Sequence, residues 1–381
     1  MTSLMARDFA ASLDFRYPWN FGQEYYYHYP KVAIGEWPPV FYAALGIWFL
    51  IFGASRATAI MFIAIVAATT ASVIYFTGKR LIGRWAGVLA TVLFVASPLV
   101  QESSARVMTE HLSTLGMLVS TLCFARFART GQIGDGLAFG SVAAMTILTH
   151  GNAWALSLVP GITVALTNRW HLLRRPGLWI AAVPVLVTCV PWYVFALSMH
   201  GGWAGDSAFS RIQAVVQAVP NYTWFICLGV GLLVLILALI GVWRTIIRVK
   251  HQSEVAPEWA ALAGLAIATF VLHCVVSVPN ESRYMVLLIP SVVLFSAAGV
   301  NEVARRLAAR LTIGVARVGS ALILMAAFSV ESFTLPLQLR NGGYEALVRD
   351  VEARVSNVPL ISSGSTGRLL SRGGRSSRGT P

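Results

Sequence analysis

The chain has 381 residues, 56% apolar and 12% charged, with a mean hydropathy of +0.68 and 29 Lys and Arg against 16 Asp and Glu, a net charge of +13. A soluble domain carries roughly 25% charged residues, so this composition excludes an ordinary water-soluble protein and specifies a membrane one. Nucleic-acid binders carry basic stripes on a polar surface; here the basic residues punctuate long apolar runs, and no nucleic-acid partner is expected.

In chain order, residues 40–53 (VFYAALGIWFLIFG) form the first apolar run. They fall short of the roughly 20 residues that cross a hydrocarbon core of about 30 Å, which predicts an interfacial or re-entrant helix. Spans are predicted at 57–77, 85–101, 110–127, 135–150, 152–168, 178–199, 224–243, 257–278, 284–301 and 313–332. Cys123, Cys189, Cys227 and Cys274 lie inside apolar runs without metal-ligand spacing and read as core residues. The fold class is therefore all-α, a polytopic integral membrane protein of about ten transmembrane helices plus one short interfacial helix. Its parts are an outer-face loop with a juxtamembrane helix (1–56), a transmembrane helical domain (57–332), the start of an outer-face C-terminal segment (333–361) and a Gly/Ser/Arg-rich tail (362–381) too poor in apolar residues to fold.

The connections sort by charge. Lys79, Arg80, Arg84, Arg126, Arg129, Arg169, Arg174, Arg175, Arg244, Arg248, Lys250, Arg305, Arg306, Arg310 and Arg317 fall on one side, against Arg106, Arg211 and Arg283 in the short loops of the other. The positive-inside rule makes the first set cytoplasmic. Twelve of the sixteen carboxylates then lie outside or on its flanks. Parity leaves a puzzle at the amino terminus, because no hydrophobic helix precedes residue 40 to carry residues 1–39 across. Either 40–53 spans, or a first helix is missing from this chain.

Three outer clusters carry ionisable groups. In YYYHYPKVAIGEWPPVFY (25–42), the Pro38-Pro39 pair bars helix before it and starts one after it, placing Glu36 at a helix start with His28 and Lys31 nearby. An interfacial aromatic belt accounts for the same residues equally well. In SPLVQESSARVMTEHL (97–112), Arg106 and Glu110 share a face if the helix begins early. A solvated ion pair is the plainer reading, but Glu110 and His111 start a span, and ionisable groups at membrane depth are expensive and usually functional. In VPNESRYMVLLIP (278–290), Glu281 and Arg283 head a span, where Arg283 either snorkels to headgroups or holds a phosphate in its planar fork. His150 ends an apolar run, where a lone histidine is commonly a packing residue; Trp203, Asp206 and the Asn221-Tyr222-Thr223 sequon carry less weight. Acids grouped on one face beside arginines suit transfer from a lipid phosphate, with a carboxylate as general base and an arginine or metal on the leaving phosphate.

The ordered pieces HYPKVAIGEWPPVFY, FLIFGASRATA, YFTGKRLIGRWAGVLATVLFVASP, VMTEHL, LTHGNAW and SRYMVLLIP resemble GT-C membrane glycosyltransferases over residues 6–335. The branch is that of the dolichyl-phosphate-mannose protein mannosyltransferases and the aminoarabinose lipid A transferases. The resemblance implies inverting sugar transfer from a polyprenyl-phosphate donor, on the outer face of a bacterial inner membrane, to a lipid, protein or polysaccharide acceptor, with a divalent cation. It implies Glu110 and Glu36 as catalytic acids, Glu36 as the metal ligand, and Arg106, Arg283 and His150 as donor-phosphate contacts. His150 stands where the family commonly has lysine. The family's Asp-Glu pair would fall just before Met1, with Asp8 and Asp14 the nearest substitutes, which predicts a chain shortened at its start and inactive as written. A transporter or flippase, and a noncatalytic relic of the transferases, are the alternatives; the first is disfavoured by the lack of an internal repeat.

Overall fold

The computed structural model describes residues 1–307 apart from 14, 30–31, 33, 201–207, 252–253 and 277–280 and the side chains of 200 and 208–214; it also describes 319, 361–363 and 368–370. The chain divides into two units, Met1–Ser332 and Phe333–Pro381.

The first unit opens with α1 (Thr2–Ser12) and α2 (Pro18–His28), joined where the Tyr25 hydroxyl donates to Asp8 at 2.9 Å. The short apolar run becomes α3 (Val40–Phe52), which starts directly after Pro39 as the paired prolines dictate. Its first N–H donates to the Leu148 carbonyl at 2.9 Å. A reciprocal Ser55/Thr58 capping box then starts α4 (Arg56–Leu81). Next come α5 (Arg84–Ala96) and α6 (Pro98–Ser104), bent by 57° at the break before Pro98. They are followed by α7 (Glu110–Thr130) and α8 (Ile133–Ile147). A 3-10 helix (Gly151–Ser157) leads into α9 (Val159–Thr167); α10 (Pro176–Ile180) and α11 (Ala182–His200) make one apolar rod.

The second half of the unit holds α12 (Ala208–Val230), α13 (Leu232–Val242), a π turn (Trp243–Ile247) and α14 (Arg248–Lys250). Then come α15 (Pro257–Val275), a 3-10 helix (Ser282–Leu288) and α16 (Ile289–Leu307). Fully buried Leu262, Leu265, Ala268, Met285, Ile289 and Leu294 put α15 and α16 at the centre. By contrast α11 presents Leu186, Val187 and Val194 outward, as a lipid-facing helix does.

Ion pairs gather the predicted cytoplasmic residues at one end. Glu258, in the first turn of α15, receives Arg80 from α4 at 3.2 Å and Arg129 from α7 at 2.7 Å. Arg126 meets Asp135 at 2.8 Å and Arg169 meets Glu254 at 2.9 Å. Glu302 takes Arg244, Arg305 and Arg306. The ends of α4 and α7 therefore coincide with the starts of α8 and α15, as antiparallel spans require, and the ends of α13 and α16 meet each other.

Among the described residues six helices are long and apolar enough to cross a membrane, or seven if the bent pair α5–α6 is one span. The predicted spans 135–150 and 152–168 are shorter helices, and 313–332 lies outside the described residues except for Gly319. The predicted span 224–243 is divided: Gly231 takes φ 76, a left-handed conformation that ends one helix and lets the next begin in a new direction. In the second unit Ile361–Ser363 and Arg368–Leu370 pair as an antiparallel two-stranded sheet that starts at the last residue before the stretch read as tail; the unit's other residues lie outside the description.

Candidate active site

The end opposite the basic cluster holds the acids. Glu110 is the first residue of α7, where unpaired backbone N–H groups and the helix dipole favour a carboxylate. It is only 4% exposed, and its Oε2 has no hydrogen-bond partner. Isolated buried carboxylate oxygens are costly, and this one stands open beside a cation.

That cation is Arg283, in the first turn of the 3-10 helix that leads into α16. Its Nε lies 3.4 Å from Glu110 Oε1 and 2.5 Å from Glu281 Oε2. Nη2 donates to Glu281 Oε1 at 3.0 Å, Nη1 points at Met108 Sδ at 3.2 Å, and the guanidinium lies over the Tyr284 ring at 5.2 Å. The fork is therefore pinned on several sides.

Rings extend the site in a file. Trp37 meets His150 at 5.9 Å, His150 meets Tyr284 at 6.0 Å, Tyr284 meets His273 at 5.4 Å and His273 meets Tyr222 at 5.6 Å. His150 caps its 3-10 helix by accepting the Asn152 N–H at Nδ1, 3.1 Å, which leaves Nε2 to carry the proton of a neutral ring. His273 donates Nδ1–H to the Thr269 carbonyl at 2.7 Å, so its buried Nε2 is an acceptor without a partner, and the Tyr222 hydroxyl is likewise unpartnered. His111 places Nε2 at 3.0 Å from both Ser103 and Ser104 hydroxyls, tying α6 to the helix that carries Glu110.

Of the predicted residues, the structure unites Glu110, Arg283 and His150. Glu36 sits in the turn before α3, exposed, with Trp37 as its link to His150. Burial first, then the Glu36 and Glu110 carboxylates, push the Tyr42 hydroxyl above its usual range. The predicted helical step from Arg106 to Glu110 is not formed, although the Arg106 charge still acts on the Glu110 carboxylate. Because α7 begins at Glu110 itself, Arg106 lies in the preceding turn and pairs back with Glu102 at 2.9 Å. Asp8 is engaged by Arg7 and Tyr25, and His28 donates to the Glu24 carbonyl of its own helix. Asp14, Lys31, Trp203 and Asp206 lie outside the described residues. Sequence reasoning passed over Tyr284, His273 and Tyr222, which sit within apolar runs; the ArgTyr pair at 283–284 was the one signal for Tyr284.

Among the described residues no group of three His, Cys, Asp or Glu could hold a metal ion. Glu36 stands alone and exposed, while Glu110 and Glu281 both face Arg283. Among the described residues these acids do not assemble a cation site.

Residues 36–195 match the family model of dolichyl-phosphate-mannose-protein mannosyltransferases. The chain is also similar in structure to ArnT from Cupriavidus metallidurans bound to undecaprenyl phosphate. That match has a TM-score of 0.57 and 18% identity, over 95% of this chain and 77% of that one. The fold is GT-C-like. The archaeal oligosaccharyltransferase AglB from Archaeoglobus fulgidus, in complex with an inhibitory peptide and a dolichol-phosphate, shares the GT-C fold at TM-score 0.52 and 14% identity, over 78% of this chain and 47% of that one. This chain spans about half the length of AglB. No curated protein matches the sequence. The segment that matches the mannosyltransferases contains Glu36, Arg106, Glu110 and His150; Arg283 lies beyond it.

Proposed function

We propose that this GT-C chain transfers a sugar from a polyprenyl-phosphate donor to an acceptor hydroxyl on the outer face of the membrane. The observation that carries the reading is the buried, open Oε2 of Glu110 beside the pinned guanidinium of Arg283. Arg283, with the neutral His150 Nε2–H, holds the donor phosphate. The acceptor oxygen attacks the anomeric carbon from the side opposite that phosphate, and its proton passes to Glu110 Oε2. The bond from anomeric carbon to phosphate oxygen breaks with its electron pair on the oxygen, so polyprenyl phosphate departs and the anomeric centre inverts. The ring file from Trp37 to Tyr222 offers faces for a sugar or lipid to pack on. The similar structures of ArnT and AglB hold undecaprenyl phosphate and a dolichol-phosphate, which supports the donor class. A bacterial inner membrane and a lipid, protein or polysaccharide acceptor complete the reading.

The test is release of polyprenyl phosphate from a panel of undecaprenyl-phosphate sugars, aminoarabinose, mannose and glucose among them, by the full chain in proteoliposomes. One donor should turn over, and Glu110→Gln should lower kcat about 100-fold or more, the usual scale of a general base, with unchanged thermal unfolding. Turnover of none of the donors, or a Glu110→Gln protein as fast as the parent, overturns the proposal.

A further inference from the structure

The basic end of the α13–α16 pair holds a second cluster that the transfer reaction does not use. Here the two helices are locked backbone to backbone. A Cβ on Gly241 would meet the Phe295 carbonyl oxygen at 1.9 Å, and one on Gly299 would meet that of Leu237 at 2.0 Å. The Ser296 hydroxyl also donates to the Val234 carbonyl at 2.8 Å. Past this contact the buried Glu302 takes Arg244 Nε at 3.2 Å, Arg305 Nη2 at 2.6 Å and Arg306 Nε at 3.1 Å. Next to them the indole of Trp243 carries two guanidiniums, Arg306 at 5.3 Å and Arg248 at 5.7 Å.

Arg248 reaches that ring because the chain changes helix type there. Its N–H donates to the Trp243 carbonyl, the i to i+5 bond of a π turn. On a regular α-helix a residue five positions on points to another side. Three arginines thus pair with one carboxylate and a fourth, Arg248, joins them on the Trp243 ring, while Glu254 and Glu258 are occupied by Arg169 and by Arg80 with Arg129. Positive charge is left over. Along the same face of α13 runs an exposed apolar stripe at helical spacing, Leu232, Ile236, Leu239 and Trp243, which ends at the stacked guanidiniums.

We propose that this cluster is a headgroup site for an anionic phospholipid, with the phosphodiester between Arg248 and Arg306 and an acyl chain along Ile236 and Leu239. A surplus of rigidly held guanidiniums at the end of an apolar stripe fits a lipid better than a soluble anion, since only a lipid uses both parts. Glu302 serves to hold the fork positions rather than to neutralise them.

The experiment is native mass spectrometry of the full chain in detergent with added phosphatidylglycerol or phosphatidylcholine. It compares the parent with Arg306→Gln, with Arg248→Gln/Arg306→Gln, and with Arg80→Gln as a control for an exposed arginine elsewhere at the same end. The parent should retain phosphatidylglycerol preferentially and lose it as ionic strength rises. Arg306→Gln should weaken retention several-fold and the double variant about tenfold, a step of ~1.4 kcal/mol, with Arg80→Gln unchanged. Inorganic phosphate and an oligoglutamate peptide should not displace the lipid. Equal retention of the two lipids, equal loss in Arg80→Gln, undiminished retention in the double variant, or displacement by phosphate or peptide each overturns the proposal. Arg306→Gln leaves Glu302 with Arg244 and Arg305, so the fold survives for the comparison.

Discussion

At the scale of single residues the site rests on Arg283, whose shape matters as much as its charge. Its guanidinium touches Glu110, Glu281, Met108 and Tyr284 at once, which a lysine ammonium on a flexible stem cannot do. Arg283→Lys should therefore keep less than about a tenth of the parent kcat/KM for the lipid-linked sugar, a loss of ~1.4 kcal/mol or more of transition-state stabilisation. Steady-state donor turnover checks it, and near-parent activity would mean that charge alone suffices. Glu110 and Arg283 were legible because ionisable groups at the heads of apolar runs are conspicuous, whereas His150, at the end of one, entered only through the family resemblance. Tyr222 and His273 did not, because an aromatic or a histidine inside an apolar stretch has the composition of a core residue. Only the packing of α12 against α15 shows that their polar atoms are buried without partners.

Among the elements, α4, α7 and α15 were readable as long apolar runs with charged ends, and the structure keeps their boundaries to within a few residues. The run 224–243 misled because hydropathy records how apolar a segment is and not its direction, so Gly231 passes unnoticed in a stretch that is apolar on both sides. Helix contacts were equally hidden, since nothing in the sequence marks which glycines face a neighbour. The distances now do. Gly299→Ala places a methyl group on the Leu237 carbonyl and should destabilise the protein by about 1–3 kcal/mol, the usual cost of overpacking. Gly161→Ala in α9, where a Cβ meets nothing within 4 Å, should be neutral or add up to about 1 kcal/mol through helix propensity. Thermal unfolding in detergent of the two variants should therefore move in different directions, and an unshifted midpoint for Gly299→Ala would contradict the close α13–α16 packing.

For the whole molecule, the net charge of +13 resolves into two ends with different chemistry. One end is basic and held by Glu258, Glu302, Asp135 and Glu254; the other holds Glu110, Glu281 and Arg283. This polarity was visible in the distribution of Lys and Arg along the chain, because the positive-inside bias acts on the sequence before any fold exists. A membrane-impermeant maleimide should therefore label Glu36→Cys in right-side-out vesicles and Arg248→Cys only after permeabilisation, both in a background lacking the four native cysteines. The reverse pattern would invert the molecule and put the candidate site on the cytoplasmic face. The central claim, that Arg283 beside Glu110 receives a polyprenyl phosphate, is tested most directly by the affinity of the purified chain for undecaprenyl phosphate itself, without any sugar. The parent should bind it and Arg283→Gln should bind at least about tenfold more weakly, ~1.4 kcal/mol, at unchanged thermal stability. Equal affinity in the two proteins would contradict the account.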